Sequence, residues 1–193
     1  DSPVSRIDDY TFNADESRIL FCTNKKPIYR RSFTADYYLF DFKNKEIKPL
    51  SEGGSQRLAT FSPTGLQVAF VRDNNLFIHD IRFGSERQIT RDGQYNHIIN
   101  GAPDWVYEEE LAFNRAFEWA PDGSAIAYIK FDESDVREFQ MNMFEGQSPA
   151  LKQNELYPSN YVYKYPKAGD NDQDGHRRRR RHLSSADTLD PGP

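Results

Sequence analysis

The feature that most constrains this chain is a unit that recurs three times along its first two-thirds. Each copy has an aromatic residue, a turn built around Pro, Asp or Gly, and then a strand in which apolar residues alternate with polar ones. The copies are YTFNADESRILFCTN from Tyr10, ATFSPTGLQVAFVRDNNLFIHDI from Ala59 and FEWAPDGSAIAYIKFDESDV from Phe117. Because the turn residues suit tight connections between antiparallel strands, each copy predicts a β-hairpin.

The spacing of the copies predicts the fold class. Their starts lie about fifty to sixty residues apart, which is the scale of a propeller blade rather than of a helical repeat. Between the first two copies, TADYYLFDFKNKEIKPL adds a strand, a KNK turn and another strand. We therefore expect an all-β chain, a partial β-propeller of about three blades of four-stranded antiparallel sheets. Since closed propellers usually have about four to eight blades, we expect an incomplete piece or a partner in an assembly.

A change of composition near Gly169 predicts a domain boundary. Residues 1–169 form the expected propeller part, whereas the stretch that follows has no aromatic residue and cannot bury a core. Residues 170–193 are therefore predicted to be a disordered, Arg-rich tail. The run Arg177–Arg181 could also be a nucleic-acid or nuclear-import patch, but five Asp residues in the same stretch nearly cancel its charge. Translation from a shifted reading frame is a further hypothesis for this tail.

Composition argues against several classes of protein. The net charge of -5 disfavours a nucleic-acid partner, which needs a surplus of Lys and Arg on one face. The single cysteine, Cys22, excludes an internal disulfide framework and is expected to be a buried strand residue. We find no spacing typical of a metal site and no motif for a cofactor. No apolar run approaches the ~18 residues of a membrane span, and the opening residues lack the pattern of a signal peptide.

The segment from Asn100 to Gly123 carries the densest functional signal. Three consecutive glutamates, Glu108–Glu110, follow two aromatic residues directly. Such a triplet is most often a solvated surface run. The alternative is a cation site, because neighbouring carboxylates repel each other unless a cation lies between them, and a primary ammonium offers three hydrogen-bond donors. The residues alone leave both interpretations open.

The string DWVYEEE, the WAPDG hairpin and YPKAG at Tyr165–Gly169 together resemble the N-terminal propeller domain of the dipeptidyl peptidase IV family of serine exopeptidases. The likeness extends to ITRDGQYNHIINGAPDWVYEEE and to YRRSFTADYYLFD, covers roughly Ser17 to Gly169, and is closest to bacterial members. The family fold, an eight-bladed propeller with a C-terminal α/β-hydrolase domain, is what this resemblance implies.

The resemblance also implies roles for individual residues. Glu109 and Glu110 match the glutamates that grip the free N-terminal ammonium of a substrate peptide, and Glu108 is then a supporting or solvent-facing residue. Arg30 matches the arginine that reaches a backbone carbonyl of the substrate, although a one-residue slip would place Arg31 there. Without the resemblance, both arginines would be expected to be solvated.

An enzyme of this kind releases N-terminal dipeptides with Pro or Ala in the second position. The chain has no G-x-S-x-G nucleophile elbow and none of its four histidines is a credible general base, so we expect no catalytic residue and no activity from this chain alone. The implied partners are the peptide N-terminus, the α/β-hydrolase domain and a possible second copy in a homodimer. The implied location is the periplasm or the cell surface. A non-enzymatic propeller module and a truncated product without independent function are the alternatives.

Overall fold

The structure, a computed structural model, describes residue 4, residues 6–144 and residues 151–167. This part of the chain contains fourteen strands, one α-helix and a short 3-10 helix at Lys152–Asn154. The strands and the α-helix are, in order, β1 (Asp9–Phe12), β2 (Arg18–Pro27), β3 (Phe33–Asp41), β4 (Glu46–Pro49), β5 (Arg57–Phe61), β6 (Gln67–Arg72), β7 (Asn75–Asp80), β8 (Ser85–Gln88), β9 (Ile98–Asn100), α1 (Trp105–Leu111), β10 (Phe117–Trp119), β11 (Ile126–Tyr128), β12 (Lys130–Asp132), β13 (Glu138–Met143) and β14 (Ser159–Lys164).

Two four-stranded antiparallel sheets form the first part of the fold. The first sheet has the strand order β1-β2-β3-β4, and the second has the order β5-β6-β7-β8. The KNK segment forms the predicted turn between β3 and β4. These sheets confirm the expected all-β class, and the order of their strands is that of consecutive meandering propeller blades.

The third unit differs in detail from one four-stranded sheet. Its strands make two-stranded pairs, in which β10 pairs with β11, β9 with β12 and β13 with β14. In the second of these pairs Ile99 lies opposite Phe131, so the chain passes through α1 and a hairpin before it returns to β9. Helix α1 therefore belongs to a chain segment whose two ends, β9 and β12, are joined by strand pairing.

The turns of the three repeated units lie beside one another. Gly65, in the second turn, has a φ of 69°, and a Cβ atom there would lie 2.8 Å from Nδ2 of Asn13 in the first turn. Gly123, in the third turn, has a φ of 73°, and a Cβ atom there would lie 3.0 Å from Thr64 in the second. Glycine therefore suits both positions for its backbone conformation and for the close approach of the neighbouring turn.

The second sheet is buried on both faces. Along β6, Val68 and Phe70 join Leu20 and Leu50 of the first unit in one apolar cluster. The intervening Ala69 and Val71 belong to another cluster, whose remaining members come from β7 and the third unit: Leu76, Ile78, Ile99, Ala102, Ala116, Phe117, Ile126 and Phe131. Successive residues of a strand point to opposite faces, so one continuous apolar strand connects the two cores.

Cys22 lies in β2 and is buried, as expected, and burial raises the pKa of its thiol. Among the described residues, no helix is long and apolar enough to cross a membrane. The tail expected at 170–193 lies outside the described residues, and the domain boundary at 169 stays a prediction.

Candidate functional site

Helix α1 carries the acidic triplet and is closed at both ends by local hydrogen bonds. The Asp104 carboxylate accepts the backbone N–H of Tyr107 at 2.9 Å, which caps the first turn. At the other end Ala112 adopts a left-handed conformation (φ 52°, ψ 29°), and its backbone N–H donates to the Tyr107 carbonyl. The sequence pattern does not predict this helix.

Aromatic side chains hold the helix against the sheets. The Trp105 ring lies 4.4 Å from the ring of Tyr165, measured between centroids, and also contacts Tyr163 on β14. The Tyr107 ring packs edge-on against Phe131 of β12 at 5.1 Å. Because the two anchors belong to separate strand pairs, the helix is fixed in position as well as in conformation.

The three glutamates of α1 have three different environments. Glu108 is 1% exposed, and its Oε1 accepts the backbone N–H groups of Arg31 and Ser32 at 2.8 and 2.9 Å. The Glu109 side chain is 25% exposed, and Glu110 is exposed. The prediction that Glu108 supports the site or faces solvent is therefore corrected in its second part, since this carboxylate is buried and bonded to the backbone.

Arg30 and Glu109 form a two-point ion pair. The Nε of Arg30 donates to one carboxylate oxygen at 3.0 Å, and a terminal guanidinium nitrogen lies 2.8 Å from the other oxygen. This contact raises the pKa of Arg30 above its ordinary value. The parallel geometry fixes the plane of the Glu109 carboxylate, as single-point ion pairs do not.

The structure thus brings together two of the three residues that the resemblance selected. Arg30, rather than its neighbour Arg31, contacts α1 through its side chain, whereas Arg31 contributes a backbone N–H and has an exposed side chain. Glu110 follows Glu109 on the helix and forms no ion pair within the described residues. One acidic group is therefore oriented by an arginine, and the next is open.

Arg57 is a further charged residue near the site, and no sequence pattern indicates it. It is 7% exposed at the start of β5. Burial lowers the pKa of its guanidinium, and the nearby Glu108 carboxylate opposes that shift. The sequence has no signal for this electrostatic interaction, because the two residues are distant in the chain and lie in different elements.

A groove of about 840 Å³ lies elsewhere, between the outer strands of the first two sheets, and is lined by Leu50, His79 and Arg82 among others. Within its lining, Arg18 pairs with Asp41 at 3.1 Å and Lys48 pairs with Glu46 at 2.8 Å. No group of His, Cys, Asp and Glu suited to hold a metal ion occurs in the ranges that the structure describes. The helix α1 and the Arg30 turn therefore remain the candidate site.

Comparisons with known proteins define the class of protein. The model of the family described as "Dipeptidyl peptidase IV (DPP IV) N-terminal region" matches residues 13–175. A protein of Podospora anserina named "Probable dipeptidyl-aminopeptidase B" is 40% identical over 163 residues, which are 80% of this chain and 17% of that protein. A protein of the same name from Emericella nidulans is 40% identical over 164 residues, which are 18% of its length.

A solved structure agrees. The crystal structure of Porphyromonas gingivalis dipeptidyl peptidase 4 matches with a TM-score of 0.80 and 44% sequence identity, over 88% of this chain and 23% of that chain. The fold is thus part of a propeller of the dipeptidyl peptidase IV type. The chain belongs to the dipeptidyl peptidase IV family, within its N-terminal region, and spans less than a quarter of the length of these relatives.

Proposed function

We propose that this chain provides the substrate-amine recognition of a serine-type dipeptidyl peptidase. The enzyme releases N-terminal dipeptides, with Pro or Ala in the second position, and its Ser-Asp-His groups lie in an α/β-hydrolase domain outside this chain. The observation that carries the proposal is the oriented Glu109 beside the open Glu110 on a fixed helix.

The chemistry follows from the arrangement of these carboxylates. Arg30 uses one lone-pair direction on each oxygen of Glu109, and a carboxylate has about four such directions, so acceptor capacity remains for an ammonium. Glu110 supplies a second acceptor and the excess negative charge. A free peptide amine bound here is held by charge-assisted hydrogen bonds, and an acylated amine is not, because it carries neither the charge nor the three donors.

A fixed amine also determines which bond is cut. When the ammonium clamp and a nucleophile are held at a constant separation, only the peptide bond at that distance reaches the nucleophile. The clamp therefore selects dipeptide release without contacting the scissile bond. Arg30 is suited to contact a substrate carbonyl as well, since its side chain is largely exposed (69%) and has N–H donors that the ion pair with Glu109 does not use.

A titration with dipeptides tests the clamp. We expect the 193-residue chain to bind Ala-Pro with a millimolar or tighter Kd in isothermal titration calorimetry at pH 6.5, and the variant carrying both Glu109→Gln and Glu110→Gln to lose this binding. Binding should also weaken at pH 9.5, because the free amine, with a pKa of about 7.7–8.0, is then uncharged while the carboxylates stay ionised.

Two controls make the result specific. N-acetyl-Ala-Pro has no ammonium and should not bind. The variant carrying Glu16→Gln and Glu52→Gln removes the same charge from exposed positions outside the site and should bind Ala-Pro as the wild type does. Equal binding of the acetylated peptide, or equal loss in the control variant, would refute the clamp.

Further parts of the proposal concern partners and location. Exposed apolar side chains lie where β13 ends, at Met143 and Phe144, and shortly before β14 begins, at Leu156 and Tyr157, which supports a protein contact there and the expected homodimer. A location outside the cytoplasm, in the periplasm or at the cell surface, is proposed from the family resemblance.

A non-enzymatic binding module is the alternative to the peptidase. The native reading frame decides between these two functions, since the peptidase requires a continuation into a hydrolase domain.

A further inference from the structure

The Glu108 carboxylate joins the two pieces of the candidate site. It projects from α1 to the turn that precedes β3, where its Oε1 accepts two consecutive backbone N–H groups, those of Arg31 and Ser32. That turn is itself closed by a 2.9 Å hydrogen bond from the Ile28 N–H to the Ser32 carbonyl. Arg30 lies inside the closed turn, so its backbone is held by its neighbours and its side chain is directed back to Glu109 on the same helix.

A buried charge needs compensation, and Arg57 is a buried cation whose charge interacts with that of Glu108. Glu108 and Arg57 are 1% and 7% exposed, and their charges attract each other across the interior. Oε2 of Glu108, and Nε and one terminal nitrogen of Arg57, make no hydrogen bond to any residue that the structure describes. The attraction therefore acts through space, and among the described residues the Glu108 carboxylate forms direct hydrogen bonds only to the turn.

This arrangement is unusual for a residue with a purely structural role. A buried carboxylate is costly even beside a counter-charge, and an apolar side chain of similar size would fill the same space at lower cost. What an apolar residue could not do is hold two backbone N–H groups at a defined distance from α1. What Glu108 contributes in place of an apolar residue is thus a fixed position of the turn relative to α1.

We infer that Glu108 is a positioning residue for amine recognition, which locks the Arg30 turn to α1 so that Arg30 can orient Glu109, and that Arg57 is the counter-charge that permits this. The inference rests on the proposed function for its effect on the substrate, but the lock itself is a property of this chain. Glu108 and Arg57, neither of which belongs to the clamp of Arg30, Glu109 and Glu110, thus determine the geometry of that clamp. Arg57 lies on the second sheet, whereas the Arg30 turn belongs to the first.

The lock predicts a local change when Glu108 is replaced. In Glu108→Gln the carboxylate charge is lost, although the amide oxygen still fits the space. Hydrogen bonds to charged groups contribute about 1.5–3 kcal/mol, so the amide protons of Arg31 and Ser32 should exchange roughly tenfold to a hundredfold faster by NMR. The Nε proton of Arg30 should lose its protection as well, and Ala-Pro should bind at least about tenfold more weakly than to the wild type.

Arg57 is tested by a double-variant cycle. Arg57→Met keeps the buried stem, removes the counter-charge and should lower the thermal midpoint. When Glu108→Gln is added, the further loss should be smaller than the same substitution causes in the wild type, because the carboxylate is then no longer compensated. Additive losses would show that the two charges do not act together and would overturn the assignment of Arg57.

The matched control is Glu86→Gln, which removes a carboxylate on β8 that bonds Arg72 of β6 and Ser51 of the connection between β4 and β5. It should lower the thermal midpoint without changing exchange at Arg31 and Ser32, which separates a local lock from general destabilisation. Unchanged exchange in Glu108→Gln would overturn the inference, as would unchanged Ala-Pro binding when the wild type binds. If the wild type does not distinguish Ala-Pro from its acetylated form, the proposed function fails, and the exchange data alone decide whether the lock exists.

Discussion

Three neighbouring carboxylates on α1 have separate tasks because the helix points them in different directions. Successive residues of an α-helix are turned by about 100°, so Glu108 faces the interior, Glu109 faces the Arg30 turn and Glu110 faces solvent. The sequence shows three equivalent charges in a row. Their division into a buried lock, an oriented acceptor and an open acceptor is determined only when the helix packs on the sheets.

The orienting role of Arg30 can be separated from its charge. Arg30→Lys keeps the positive charge but replaces a planar two-point donor with a single flexible one. We expect severalfold weaker binding of Ala-Pro in calorimetry and almost no change in the thermal midpoint, since the ion pair is largely exposed. Arg31→Lys is the matched control and should bind as the wild type does. Equal effects of the two substitutions would mean that the arginines contribute charge alone.

At the scale of elements, the sequence predicts hairpins well and α1 not at all. The units beginning at Tyr10, Ala59 and Phe117 each have turn residues that bond within the turn and flanking segments rich in apolar and aromatic residues, and these local signals determine the three hairpins. Helix α1 has seven residues, fewer than two regular turns, and no apolar stripe. Its local signal is the capping Asp104, and the rest of its stability comes from aromatic contacts with distant strands, which a sequence pattern does not show.

The end of α1 offers a test of this element. Ala112 adopts the left-handed conformation, which costs an L-residue about 1–2 kcal/mol, whereas glycine loses about 0.5–1 kcal/mol in backbone entropy. Ala112→Gly should therefore raise the free energy of unfolding by about 0.5–1 kcal/mol in urea denaturation. The same substitution at Ala127, exposed on β11, should lower it by a similar amount. A loss of stability at both positions would contradict the prediction, because it would show that the left-handed conformation of Ala112 carries no cost that glycine removes.

At the scale of the whole molecule, the second sheet makes the described units depend on one another. Repeats that contact only their neighbours can unfold one after another. Here β6 contributes alternate residues to two cores, Val68 and Phe70 to one and Ala69 and Val71 to the other. Neither core can lose its packing while β6 stays ordered for the other, so the described part of the chain should unfold in a single transition.

Phe70→Ala tests this coupling, because the cavity lies in one core and the fluorescent probes lie at the other. Phe70 is fully buried between the first two units, and its truncation should cost about 3–5 kcal/mol. Both tryptophans, Trp105 and Trp119, belong to the third unit. If the cores are coupled, tryptophan fluorescence and circular dichroism should both show the thermal midpoint lowered by on the order of 10 °C. Leu156→Ala, at an 85% exposed position, should change neither. A midpoint that falls by circular dichroism but not by fluorescence would show that the units unfold independently, since a defect in the first core would then not reach the helix that carries the glutamates.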